Sequence, residues 1–148
     1  MPQEDTTRSD EPAILAVIDA IAKAVRSHDV DALLSHFAPD VVVFDMLAPL
    51  EHTGTEALRR IWVRALAPFE GPVDYDVDHL GIWVSGDVAF SRGLCVFGGT
   101  TRAGQQAEYR VRTTLGFRKT AGSWKVIHQH VSALFDRDSE KLQLDLEE

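Results

Sequence analysis

The sequence has little of what disulfide-linked, zinc-binding or membrane-spanning proteins need. Among 148 residues there is one cysteine, Cys95, which excludes an internal disulfide and a multi-cysteine zinc site. Because Cys95 lies in the apolar run 88–97, we expect it to pack in the core rather than act as a nucleophile. No apolar stretch approaches membrane-spanning length, and no signal-peptide pattern opens the chain. We therefore expect a cytoplasmic protein.

Basic residues are also in short supply. Lys and Arg number 15 against 23 Asp and Glu, which gives a net charge of −8 and argues against nucleic acid or an anionic membrane as a partner. His128 and His130 can share a strand face, but two histidines make a poor metal site, and we expect no bound metal. Gly98-Gly99 is not followed by a helix, so it is no phosphate loop.

The first half of the chain has the pattern of helices. Residues 1–11 are polar, without an apolar period, and predict a flexible N-terminal segment. The first helix is expected to begin near Asp10, and the second follows Asp29, a good N-cap. A third helix begins near Thr55 and ends before Pro68.

The second half has the pattern of antiparallel strands. A short apolar strand, 40–46, precedes the third helix, and Asp45 at its end is out of pattern. The later strands are expected at 73–84, 88–97, 109–118 and 124–132. This order predicts an α+β fold over residues 12–135, with helices on one side of a curved antiparallel sheet. The acidic tail, 136–148, alternates weakly over 142–146 and could cover a sheet edge.

The last two strands form a predicted hairpin whose turn contains Gly122, a residue that tolerates positive φ. Pairing Phe117 with Trp124 would let two large rings cover each other. This register puts His130 on the face of Phe117, and Arg112, Thr114 and Gln129 on the other face. A slip of one residue would put His130 beside Arg112, so the pattern leaves open whether His130 or Gln129 faces a cavity.

The element order, the segment 37–45, a loop with Pro and Gly, and the segment 122–132 together resemble the NTF2-like superfamily. Within it, the chain is most similar to the SnoaL-like, SgcJ/EcaC-type branch, also called ketosteroid-isomerase-like. The resemblance covers residues 12–135. It implies a cone in which three N-terminal helices pack on the concave face of a strongly curved antiparallel sheet. Isomerases, cyclases, dehydratases, epoxide hydrolases and non-catalytic binding modules share this fold, so the fold does not fix the function.

Comparison with the ketosteroid isomerases supplies two site residues. Asp45 falls on the position of their general base, and Trp62 falls where they carry a pocket tyrosine. Their oxyanion-hole donors would lie near Ile21, which has no donor, and at Thr113 or Thr114, where a threonine is a weaker donor. Because loss of one such donor typically costs roughly 10²–10³ in rate, classical steroid isomerisation is not expected.

The last strand also resembles the association domain of calmodulin-dependent kinases, which has a similar Trp-x-x-Val-His-x-His-x-Ser pattern. That resemblance implies assembly of subunits and binding of small carboxylates by pocket arginines. One such arginine would correspond to Val131, so Arg112 remains as a possible anion-binding group. Apolar residues on both faces of the last strands predict a homodimer formed through the sheet, since helices cover only one face.

These observations predict a small cofactor-free enzyme of isomerase, cyclase or lyase type that acts on a hydrophobic, carbonyl-containing molecule. Asp45 and His130 are the expected catalytic residues. The expected ligand-binding residues are Phe44, Trp62, Arg112, Thr114 and Gln129. A structural alternative is that Asp45 bonds the backbone of the following loop or pairs with Arg112. The alternative function is a non-catalytic small-ligand-binding or oligomerisation module.

Overall fold

A computed structural model describes residues 6–144. The helices are α1 (Thr6–Arg26), α2 (Val30–Leu34) and α3 (Thr55–Leu66). The strands are β1 (Phe37–Phe44), β2 (His52–Thr53), β3 (Asp74–Ser85), β4 (Val88–Thr100), β5 (Gln106–Thr120), β6 (Ser123–Ser132), β7 (Leu134–Asp136) and β8 (Lys141–Gln143). No helix in this part of the chain is long and apolar enough to cross a membrane.

Six strands form one sheet in the order β2-β1-β6-β5-β4-β3. Every neighbouring pair is antiparallel except β1 and β6, which are parallel. The helices lie against one face of this sheet, and the buried residues of α1, α3 and the sheet form one hydrophobic core. The predicted α+β fold, with helices on one side of a mostly antiparallel sheet, is therefore confirmed.

The first helix begins at Thr6, earlier than the expected start near Asp10. The predicted flexible segment, 1–11, is thus helical from residue 6, while residues 1–5 lie outside the described part of the chain. The prediction placed the start close to the first buried apolar residue, Ile14. A helix can extend beyond its buried stripe wherever polar residues are compatible with helical geometry.

The next two helices begin directly after Asp29 and Gly54. The Asp29 side chain accepts a hydrogen bond from the backbone N–H of Ala32 at 3.0 Å, so it is the N-cap of α2 as predicted. The third helix begins directly after Gly54, whose φ of +88° suits glycine. Between them, β1 begins at Phe37, three residues before the predicted start at residue 40.

The hairpin of β5 and β6 has a register different from the predicted one. Ala121 and Gly122 both have positive φ and form a two-residue turn, which pairs Thr120 with Ser123. As a result Trp124 lies opposite Lys119 rather than opposite Phe117. The predicted register assumed a longer turn.

A bulge then exchanges the faces of β6. Phe117 pairs with Val126 but Gly116 pairs with His128, which leaves Ile127 as an extra residue on β6. Before Ile127 the even-numbered side chains of β6 point to the concave side, whereas after it the odd-numbered side chains do. Val126 and Gln129 point to the concave side and are buried, whereas His130 points to the outer side and is exposed.

The C-terminal segment folds back against the sheet. Its strands β7 and β8 pair with each other as a separate two-stranded sheet. The backbone N–H of Arg110 on β5 donates to the carbonyl of Leu144 at 2.6 Å. This contact covers an edge of β5 beyond the end of its pairing with β6, while residues 145–148 of the predicted acidic tail lie outside the described residues.

Candidate functional site

A cavity of about 720 Å³ lies between the concave face of the sheet, α3 and the loop after β1. Its size is that of small-molecule sites, which typically occupy roughly 300–1,000 Å³. Its wall is mainly apolar, and Leu142 and Leu144 of the C-terminal segment complete one side. A molecule bound there would be held mostly by its hydrophobic surface.

Asp45 lies in this wall because of strand alternation. Val41 and Val43 on β1 are buried on the concave side, and the same alternation brings Asp45 to that side just past the end of the strand. No hydrogen bond or ion pair joins its carboxylate to any residue in 6–144. The structural alternatives, a bond to the following loop or a pair with Arg112, are therefore not formed within the described chain. The carboxylate is available to a bound molecule.

Two further polar groups flank Val43. His52 on β2 lies opposite Val43, and Gln129 on β6 is its neighbour on the other side. The Nε2 atom of His52 and the Oε1 atom of Gln129 are buried without a hydrogen-bond partner in the described chain, and both residues line the cavity. Unpaired buried polar atoms are costly, so each of these two atoms is a natural contact for a polar group of a ligand.

Aromatic rings form the part of the wall under α3. The Trp62 ring meets Tyr75 at 6.1 Å and Phe97 at 6.2 Å between centroids, both edge-on. Tyr109 stacks on Phe97 at 6.3 Å. Such a surface favours a flat or bulky hydrophobic ligand.

Tyr75 and Cys95 are buried next to each other in the wall, with 3.5 Å between the hydroxyl oxygen and Sγ. Burial raises the pKa of the Tyr75 hydroxyl well above its ordinary value, and burial also raises the pKa of the Cys95 thiol. Both groups are therefore neutral at pH 7. Cys95 is 3% exposed and packs in the core, as the sequence predicted.

Four of the predicted site residues lie on the outer face of the sheet instead. Thr114 pairs with His130, and His130 pairs in turn with Phe44 on β1. The Phe44 ring meets His130 edge-on at 5.7 Å. Arg112 also points outward, and its Nε donates to the Ser132 hydroxyl at 3.1 Å. The expected pocket positions of these four residues are thus corrected, because the bulge turns His130 outward and alternation takes the other three away from the cavity.

The structure brings together Asp45, Trp62 and Gln129 from the predicted set and adds residues that sequence reasoning missed. Arg60 and Arg64 of α3 line the cavity, as do His52 and Tyr75. Arg60 and Arg64 stand four residues apart on the same side of α3, beyond one edge of its apolar stripe, so a helical projection alone would not have placed them at a cavity. Within residues 6–144 no group of three or more His, Cys, Asp or Glu side chains is arranged to hold a metal ion.

Together, the cone of helices on a curved sheet and the apolar cavity with an acid in its wall define the NTF2-like class of pocket proteins. Residues 14–136 match the SnoaL-like domain, so the chain belongs to that family. No curated protein matches the sequence.

Three solved structures illustrate the similarity. An NTF2-like protein of unknown function from Pseudomonas putida KT2440 is 29% identical, with a TM-score of 0.84 over 96% of this chain and 99% of that one. A putative dehydratase of the NTF2-like family from Streptomyces avermitilis is 18% identical, with a TM-score of 0.77 over 88% of this chain and 99% of that one. The association domain of C. elegans CaMKII is 15% identical, with a TM-score of 0.68 over 87% and 99%. At such identities the last two share the fold alone.

Proposed function

We propose that this SnoaL-like protein is a small cofactor-free enzyme that performs acid/base chemistry on a hydrophobic, carbonyl-containing molecule. The observation that carries the proposal is the Asp45 carboxylate, unpaired within the described chain, in the wall of a mainly apolar cavity. A carboxylate that faces a bound carbonyl compound can remove a proton from the carbon next to the carbonyl group. That step is common to isomerase, cyclase and lyase reactions.

The other polar groups of the cavity suit the remaining tasks. The buried amide of Gln129 can orient the bound molecule, and the His52 imidazole can accept or return a proton. His130 was the expected second catalytic residue, but it lies on the outer face of the sheet. We therefore propose His52 for this role instead. The dehydratase description of the Streptomyces avermitilis protein fits this reaction class.

Proton exchange tests the proposal without knowledge of the natural substrate. Incubated in D2O, the protein should speed deuterium incorporation beside the carbonyl of tetralone, a hydrophobic bicyclic ketone, as followed by proton NMR. Asp45→Asn should reduce this rate by about 10²-fold or more, the usual contribution of a general base. Asp40→Asn is the matched control, because Asp40 is exposed on β1, the strand that leads to Asp45, and does not line the cavity. Equal rates for Asp45→Asn and wild type would contradict the proposal.

A second candidate function, subunit assembly, is favoured by the outer face of the sheet. Trp83 and Phe90 are 47% and 46% exposed, and their rings stack at 4.7 Å. Val88 and Phe44 are also exposed on this face, at 48% and 39%. We propose that a second copy of the chain covers this patch to form a homodimer, as apolar patches of this kind commonly mark interfaces.

Sedimentation of charge variants tests the dimer. The wild type should sediment as a dimer at micromolar concentration and Phe90→Lys as a monomer, because a buried unpaired charge is costly. Val63→Lys is the control, since Val63 is 54% exposed on α3, away from the outer sheet face. A monomeric wild type would exclude this interface.

A further inference from the structure

The charges around the cavity are unevenly placed. Among the described residues that line it, Asp45 is the one carboxylate, whereas Arg60 and Arg64 both carry positive charge. The two arginines are exposed and stand one turn apart on α3, in the helical segment that borders the cavity. The cavity thus combines a hydrophobic interior with a positively charged border, in a protein whose net charge is −8.

A third arginine on the same helix, Arg59, differs from these two in its surroundings. Arg59 bonds Asp31 of α2 at 2.8 Å and lies 3.5 Å from Glu56, so its charge is balanced. No ion pair or hydrogen bond joins Arg60 or Arg64 to any residue in 6–144. The arginine of α3 that lies outside the cavity is thus balanced by acids, and the two on the cavity side are not.

The spacing of the pair adds a second argument. Residues four apart on a helix lie roughly 5–6 Å apart at Cβ, and like charges at that spacing repel each other. An anion between the two guanidinium groups would relieve this repulsion and accept several hydrogen bonds from their planar N–H groups. A carboxylate is small enough to be shared in this way.

We propose that the molecule bound in the cavity is a hydrophobic organic acid whose ionised group is held by Arg60 and Arg64 while its apolar body contacts the aromatic wall. This inference rests on the proposed function and specifies the substrate class of the same site. The anionic group remains at the border, where water and the arginines solvate it. The body of the molecule extends inward to Asp45 and to the unpaired amide oxygen of Gln129.

Two fluorescent probes that differ in one group test the proposal. Anilinonaphthalene sulfonate carries an anionic group, and phenylnaphthylamine has the same ring system without it. Both probes should bind the purified full-length protein, and the sulfonate should bind more tightly. In the double variant Arg60→Gln/Arg64→Gln, the dissociation constant of the sulfonate should rise about tenfold, a modest effect suited to exposed charges. The dissociation constant of phenylnaphthylamine should remain unchanged.

Arg59→Gln is the matched control, because it removes the same charge from the same helix outside the cavity and should leave both dissociation constants unchanged. If phenylnaphthylamine binds but the sulfonate binds no better, or is insensitive to the double variant, the acid-binding inference is wrong and the proposed function stands. If neither probe binds, the cavity does not hold hydrophobic molecules, and the proposed function fails together with the inference.

Discussion

Asp45 shows what one residue against the local pattern can reveal. It directly follows the apolar run 41–44 of β1, where a carboxylate is costly unless a polar group, water or a ligand receives it, so the sequence pattern by itself indicates a cavity. The place of Trp62 in the cavity wall could also be predicted from the sequence, because Trp62 lies on the apolar stripe of α3. His52 could not be predicted, because it lies in a segment with the composition of a loop, and only its pairing with Val43 brings it to the cavity.

Replacing Asp45 by Asn should leave stability nearly unchanged. Because no residue in 6–144 bonds the carboxylate, the substitution removes no interaction within the described fold. We expect the free energy of unfolding in urea to change by less than about 0.5 kcal/mol, the usual range for sites without special contacts. A loss of roughly 1–3 kcal/mol would mean that Asp45 serves as a structural hydrogen-bond acceptor instead.

Replacing Gln129 by Met should stabilise the empty protein. Gln129 is 7% exposed, and its Oε1 has no hydrogen-bond partner in the described chain. Methionine has a similar shape and no unpaired amide oxygen, so the free energy of unfolding should rise by about 1 kcal/mol. A decrease in a urea titration would show that the amide already has a partner in solution, such as an ordered water. Such a rise in the free energy of unfolding is expected when the replaced residue binds a ligand and does not stabilise the fold.

Among the secondary-structure elements, β6 was the hardest to predict in detail. Its location and its turn at Gly122 followed from composition, but Val126 and Ile127 are both apolar, so alternation alone cannot tell which of them faces inward. The bulge at Ile127 settles this, and it decides whether Gln129 or His130 reaches the cavity. One inserted residue thus determined the composition of the site.

The turn of this hairpin offers a test at the same scale. Ala121 has φ of +50°, a region in which alanine is strained and asparagine is tolerated. Asn-Gly is a preferred pair for a two-residue turn with both φ positive, so Ala121→Asn should raise the free energy of unfolding by about 0.5–1 kcal/mol. Thr120→Asn, one residue earlier in β5, should not stabilise the protein. A loss of stability for Ala121→Asn in urea titration would contradict this turn geometry.

For the whole molecule, the order of helices and strands was enough to predict an α+β fold with helices on one side of a curved sheet, the resemblance implied its cone shape, and the family match agrees with both. Element order depends on local patterns, which a sequence contains. The cavity depends on which faces of distant strands meet, and this is set by register and by a bulge. The charged border of Arg60 and Arg64 likewise follows from the docking of α3 against the sheet.

Stability of the whole fold should decrease in alkaline solution. Burial raises the pKa of Tyr75 and of Cys95 in the folded state, so the unfolded chain loses these protons first as the pH rises. The stability that these two protonated groups contribute is fully present below the pKa values of the unfolded chain, about 8.5 for Cys and 10 for Tyr. It is lost as the pH rises above those values. Urea titrations from pH 7 to about pH 10.5 should show falling stability, less steeply in Tyr75→Phe. If stability falls equally steeply with pH in Tyr75→Phe and in the wild type, Tyr75 is not a source of this pH dependence.

The central claim is that the concave cavity, and not the outer face, receives the small molecule. The most direct measurement is a set of intermolecular nuclear Overhauser effects between tetralone and the methyl groups of the isotope-labelled protein. We predict contacts from tetralone to Val43, Val111 and Val131, which line the cavity. Contacts to Val88 and to Val42, which alternates to the outer side of β1, with none to the cavity valines, would contradict the account.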